Sequence, residues 1–154
     1  MRRGISFEIP NKYGRWLEEM LKPINIAAFD WQIGSSESYT VIDDRLEEEL
    51  FSNKGNVIEG TELKNRVEAN QYYIISVDLQ AFPKNTVNRV ETFEEFIESD
   101  CQLVLLVVDC IYVTIYCKNQ ETIESLNKNA ITCGFGDIEY ITNENDARTK
   151  LSVW

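Results

Sequence analysis

The chain has 154 residues, 44% hydrophobic and 27% charged, with 15 Lys and Arg against 26 Asp and Glu and a formal net charge of −11. That is one domain of ordinary globular composition, and so acidic a chain opposes binding to nucleic acid or to an anionic membrane, both of which need clustered cations. There is no histidine, which excludes Ser-His-Asp and Cys-His catalysis, histidine metal ligation and histidine pH switching.

Ile5, Phe7 and Ile9 alternate with Gly4, Ser6 and Glu8, the pattern of a half-buried strand, and Pro10 stops it. Tyr13, Trp16, Leu17, Met20, Leu21 and Ile24 recur at helical spacing, with Trp16 central to the stripe. Lys12, Arg15, Glu18, Glu19 and Lys22 fill the opposite face, and Pro10 and Pro23 bound the helix. Phe29, Trp31 and Ile33 alternate in a strand over 26–33, Gly34-Ser35-Ser36 turns the chain, and Ser38 to Ile42 forms a second strand. Residues 26–42 are therefore predicted as a hairpin. Asp43 to Phe51 reads as one or two helical turns capped by Asp44, and Asn53 to Asn56 as a loop. Thr61 is expected to cap a short helix through Ala69 that turns Leu63 and Val67 inward.

Residues 72–82 form a long strand ended by Pro83. Its alternation puts Tyr73, Ile75, Val77, Leu79 and Ala81 on one side and Tyr72, Ile74, Ser76, Asp78 and Gln80 on the other. Thr92-Phe93-Glu94-Glu95 is a capping box, so a helix with Phe93, Phe96 and Ile97 inward follows. Leu103 to Val108 is continuously apolar, hence a central strand buried on both faces, and Ile111 to Cys117 alternates. Asn119 caps a helix with Ile123, Leu126 and Ala130 inward, ended by Gly134 and Gly136. Ile138 to Thr142 is a strand, and Lys150 to Trp154 is predicted as a closing one. Paired strands between helices indicate a single α+β domain over 1–154: a mainly antiparallel sheet of about six to seven strands with helices packed on one face.

The segments Arg3-Gly4-Ile5-Ser6-Phe7-Glu8-Ile9-Pro10-Asn11 with Tyr13-Gly14, Leu21-Lys22-Pro23-Ile24, Phe29-Asp30-Trp31 and Arg148-Thr149-Lys150-Leu151 carry a resemblance over the whole length. They resemble an uncharacterised domain-of-unknown-function family of small acidic proteins from Bacillus-type bacteria. The resemblance implies a bacterial cytoplasmic origin and a stand-alone domain. It implies no activity, cofactor or functional residue.

The basic start Met1-Arg2-Arg3-Gly4 precedes no apolar core, and the longest apolar stretch, Leu103 to Val108, is far below the roughly 20 residues that span a bilayer. A cytoplasmic protein is expected. Cys101, Cys110, Cys117 and Cys133 form no C-x-x-C pair and read as reduced core residues. Cys117 is the one candidate nucleophile, because Lys118 and a following helix N-terminus would favour its thiolate. Glu62-Leu63-Lys64 has a nuclease-like spacing, but residues at i and i+2 do not share a helix face. No Gly-rich phosphate loop follows a strand, so no cofactor is indicated, and the acidic run lacks the alternation of an EF-hand, so no metal is indicated.

Charge is blocky. Residues 30–62 carry a net −7 and 91–109 a net −6, whereas 1–24 and 63–90 are each +2. Asp43, Asp44, Glu47, Glu48 and Glu49 form the densest acidic patch and suit a basic protein partner. A second surface follows from pairing Leu103–Val108 with Ile111–Cys117 through a two-residue turn at Asp109-Cys110. Val108, Leu106 and Val104 then share the core face with Ile111, Val113 and Ile115. Leu103, Leu105 and Val107 lie with Tyr112, Thr114 and Tyr116 on the other, which Tyr72 and Tyr140 extend, and which is apolar enough to need a cover, taken here as a homodimer or partner. The expected function is a non-enzymatic interaction or regulatory, antidote-like domain. The alternative is a small cysteine- or carboxylate-dependent enzyme or an aromatic-lined small-ligand binder.

Overall fold

An apolar run such as Leu103–Val108 has no side to offer water, so both of its faces must be covered. The computed structural model, which describes residues 1–51 and 56–153, places it inside a nine-stranded sheet. In chain order the elements are β1 (Arg2–Glu8), α1 (Trp16–Met20), β2 (Phe29–Ile33), β3 (Glu37–Ile42), β4 (Arg45–Glu49), β5 (Val57–Glu59), α2 (Gly60–Ala69), β6 (Tyr72–Pro83), α3 (Phe93–Glu98), β7 (Leu103–Val108), β8 (Tyr112–Cys117), α4 (Gln120–Cys133) and β9 (Gly136–Thr142). The sheet order is β4-β3-β6-β7-β8-β1-β9, with β2 beside β6 and β5 beside β2, and every pairing is antiparallel. The fold is thus α+β with an antiparallel sheet.

Five local expectations change. The first helix is shorter than its stripe: it begins at Trp16, and Pro10 lies well before it. Trp16 is half-buried, while Leu17, Met20 and Leu21 are buried. Residues 26–42 are not a hairpin. Both β2 and β3 pair with β6, β2 along Leu79–Pro83 and β3 along Tyr72–Ser76, so the two lie end to end on one edge. The 43–51 segment is strand, not helix. Asp43 and Asp44, at φ 52° and 60°, make a two-residue turn that leads into β4, and Ile42 pairs with Arg45 across it. Paired left-handed residues are what a type I′ hairpin turn needs, and aspartate tolerates them. Thr61 falls inside α2, whose N-cap is Glu59. The 150–154 strand reduces to one bridge, Thr92 to Lys150, with Trp154 outside the described residues. So do residues 53–55 of the predicted loop.

Two register effects decide the faces. Along β6, Glu37 pairs with Ser76 but Ser38 pairs with Ile74, so Ile75 is an extra residue in a bulge. Tyr72 and Ile74 therefore share the helix-covered core with Val77, Leu79 and Ala81, and the predicted alternation breaks at Ile75. In the β7–β8 hairpin the loop has three residues, 109–111, with Asp109 and Cys110 at φ 52° and 72°. The pairs become Leu103 with Cys117, Leu105 with Ile115, Val107 with Val113 and Val104 with Tyr116. A one-residue slip exchanges faces between partners. The loop is held by distant strands: the Cys110 N–H donates to the Ile75 carbonyl at 3.0 Å and the Ile9 N–H to the Ile111 carbonyl at 2.9 Å.

One core joins the sheet to α1, α2 and α4 through Leu17, Met20, Leu63, Val67, Ile123 and Leu126. The second, on the opposite face, joins Val104, Leu106 and Tyr116 to Phe96 of α3 and to Leu151 and Val153 of the C-terminal segment. That face is covered by α3 and the segment 143–153. Phe93 N–H donates to the Thr149 carbonyl at 2.9 Å and Leu151 N–H to the Glu91 carbonyl at 3.0 Å. Asp146 anchors the segment further, accepting from the Tyr116 hydroxyl at 2.9 Å and pairing with Arg3 at 3.3 Å. Arg3 also lies over the Phe93 ring at 4.0 Å.

Beside this core Asp78, 1% exposed, pairs with Arg89 at 2.7 Å, and Arg89 also donates to Gln32 at 2.5 Å. Gly34 makes the approach possible, because a Cβ there would fall 2.6 Å from the Asp78 carboxylate. Burial pushes the Asp78 carboxyl above the usual range, against the pull of Arg89.

Two outcomes test this arrangement. Leu151→Ala should cost about 2–4 kcal/mol and raise binding of a hydrophobic dye, because the second core loses its cover; a parent-like melt with no dye uptake would show that the segment covers nothing. Arg89→Met should cost about 3 kcal/mol at pH 7, because it leaves the Asp78 carboxylate buried without its counter-ion. An acid raised in the folded state is protonated more readily there, so this group's contribution rises as pH falls from its raised value toward 3.8. The deficit of the variant should therefore shrink on acidification, and a deficit that grew instead would remove Asp78 as its cause.

Candidate functional site

Cys117 ends β8 and faces the helix-covered core, where its burial pushes the thiol up. Its sulfur donates to the Asn119 carbonyl at 3.8 Å. Lys118, the residue expected to activate it, turns to the other face, donating from Nζ to the Ser99 carbonyl and lying 5.2 Å over the Phe96 ring. Alternation along an extended chain is the reason: adjacent residues point oppositely. Cys101 is buried too and its thiol is pushed up to about 12, mainly by desolvation.

The six residues read as one surface do not share a face. Leu103, Leu105 and Val107 pack under the helices, while Tyr112, Thr114 and Tyr116 look to the opposite side. Of these, Tyr116 is buried in the second core, Thr114 is half-buried and Tyr112 is 52% exposed. Tyr72 and Tyr140 do not extend them. Tyr72 is buried in the first core, its hydroxyl accepting from the Leu17 N–H at 3.0 Å and donating to the Val67 carbonyl at 3.1 Å. Tyr140 packs against that core and stacks with Arg2, whose guanidinium lies 3.6 Å from its ring centre.

The five acidic residues read as a patch lie on one hairpin, and because side chains alternate along β4 they do not all share one side. Asp43 and Asp44 form the turn, Glu47, Glu48 and Glu49 follow on β4, and all five residues of β4 are exposed. The strand ends the sheet, so its outer backbone groups meet no further strand of the path. Among the described residues no set of three or more Asp, Glu, Cys or His side chains converges as a metal site.

A second acidic surface escaped the sequence reading. Glu8 of β1, Asp137 and Glu139 of β9, and Tyr112, Thr114 and Ser6 line a depression of about 650 Å³. The Glu8 carboxyl hydrogen-bonds that of Asp137, which raises its pKa, and burial and the like charge add to the rise. Nothing local signals the pair, since only the β1–β9 pairing joins chain positions that lie at opposite ends.

Thiol chemistry checks these placements. Cys110 and Cys133, both partly exposed, should react with a thiol reagent well before Cys101 and Cys117, both buried. A Cys117 that reacted first at neutral pH would contradict its burial.

Comparison with known proteins matches this geometry to no described chemistry. No solved structure matches the chain significantly. A relative from Bacillus subtilis (strain 168), named "Uncharacterized protein YncE", is 48% identical over 154 residues, covering 99% of this chain and 100% of the relative. One family profile matches residues 2–152, nearly the whole described fold from β1 to the covering C-terminal segment. The chain belongs to that family, described as "Protein of unknown function (DUF2691)".

Proposed function

We propose that this protein is a non-enzymatic interaction domain of the cytoplasm, a regulatory or antidote-like partner that takes a basic, extended segment of another protein along β4. One observation carries the reading: an edge strand with every residue exposed, bearing Glu47, Glu48 and Glu49 behind the Asp43-Asp44 turn. An edge offers backbone donors and acceptors to an added strand, and alternate side chains supply the selectivity. Three of the five β4 side chains are carboxylates, beside Arg45 and Leu46, so lysine- or arginine-rich strands are favoured and attracted over distance. A second copy is the poorer occupant, because β4 against β4 sets glutamate against glutamate. The cytoplasmic setting is supported by four unpaired cysteines. No helix among the described residues is long and apolar enough to cross a membrane.

Co-purification from cells tests the reading. Glu47→Lys with Glu48→Lys should release a partner that the parent retains at low salt. The variant should melt within about 0.5 kcal/mol of the parent, as the positions are exposed. In the complex the amides of Leu46 to Glu49 should gain protection from hydrogen exchange. A partner held equally by the variant, or one that leaves those amides unprotected, would refute docking on β4.

A further inference from the structure

Six of the described cations find a carboxylate within 4.0 Å. Arg3, Arg66 and Arg89 do so, at 3.3, 2.7 and 2.7 Å. Lys12, Arg15 and Lys22 pair with none among the described residues, although the chain has 26 acidic residues. All three line one depression of about 450 Å³ formed by the 12–16 segment, the start of α1 and Gln71. That volume is in the range of small-ligand pockets, and the basic partner proposed for β4 has no use for it.

The depression is aromatic as well as basic, and its frame is held. Trp16 donates from Nε1 to the Lys12 carbonyl at 2.9 Å and stands edge-on to Phe135 with centroids 6.2 Å apart. Gly14 lies so close to the indole that a Cβ would come within 2.6 Å of it. Gly14 is in turn bonded to Tyr72 in both directions, at 3.2 and 3.0 Å, which ties the loop to β6. Tyr13, 38% exposed, stands edge-on to Tyr73. Glu18 and Glu19 complete the rim, so three cations face two carboxylates and the local balance is slightly positive.

We propose that this depression binds a small phosphorylated ligand with an amine-bearing aromatic ring, of the class of a nucleoside monophosphate. Arg15 and the two lysines take the phosphate oxygens, with Arg15 able to do so through two N–H groups at once. Tyr13 and Trp16 give the ring an aromatic surface. Glu18 and Glu19 accept from its amino group. The slight local excess of positive charge, set in a chain of net −11, favours a short anion and repels a long one.

Calorimetric titration of the full chain at ~50 mM salt tests the site with adenosine monophosphate, adenosine triphosphate, adenosine and inorganic phosphate. The monophosphate should bind about tenfold or more tighter than adenosine or phosphate alone, and quench the Trp16 fluorescence. Arg15→Ala with Lys22→Ala should weaken it about tenfold, while Lys64→Ala on α2 leaves it unchanged. The replaced side chains are exposed, and circular dichroism verifies that the variant is folded. Three results would each overturn the proposal: no monophosphate binding at ~10 mM, binding no tighter than one of its halves or than the triphosphate, or an Arg15→Ala/Lys22→Ala variant that binds like the parent.

Discussion

The structure turns on β6. Twelve residues at about 3.3 Å each make a strand of about 40 Å. No other strand matches that length, so β2 and β3 divide one of its edges and β7 takes part of the other. Because β6 lies within the sheet, its middle is buried on both faces, polar residues included: Ser76, Asp78 and Gln80 are all buried. A buried polar group must be satisfied, and each one here is. Gln80 exchanges hydrogen bonds with the Val90 backbone, Ser76 bonds the Glu37 N–H, and Asp78 holds Arg89. No buried side-chain nitrogen or oxygen among the described residues lacks a partner.

Covering both faces with one chain sets the rest of the layout. The helices α1, α2 and α4 take one side, with large buried aliphatic side chains. The other side receives the less regular part of the chain, α3 and the C-terminal segment, tied down by Arg3, Asp146 and Tyr116 as much as by Leu151 and Val153. What β8, β1 and β9 leave uncovered there is polar, carrying Ser6, Thr114, Glu8 and Glu139. The apolar residues of that side are covered by this chain's own α3 and C-terminal segment. The sheet's exposed parts include a carboxylate-lined face and the edge strand β4.

Edges are where an antiparallel sheet is open to further pairing, and charge is the usual guard. On β4 the charge is Glu47, Glu48 and Glu49, with Arg45 at the start of the strand. The chemistry-bearing residues that the sequence offers lie apart in the fold. Cys117 is sealed in the core, its lysine neighbour faces away, and the carboxylate pair Glu8 and Asp137 lies in an open depression lined also by Ser6, Thr114 and Tyr112.

Patterns confined to a few neighbouring residues determined much of this protein. The alternation of Ile5, Phe7 and Ile9, the N-caps at Thr92 and Asn119, the inner faces of α2 and α4 and the two-sided burial of β7 all follow from local periodicity and capping, and all are present. Acidic composition and the lack of histidine likewise bound the chemistry without any structure. What tertiary structure alone decided is register and partnership. Asp43-Asp44 forms a strand turn rather than a helix cap because β3 is there for β4 to pair with. Ile75 bulges where β3 shifts along β6, and Ile111 joins the hairpin loop because Ile9 and Ile75 hold it there. Each change moves a strand by one residue, and since side chains alternate with period two, one residue exchanges what is buried for what is exposed. The six-residue surface read from the hairpin divided between two faces for that reason, and Glu8 met Asp137 only because β1 and β9, from opposite ends of the chain, lie side by side.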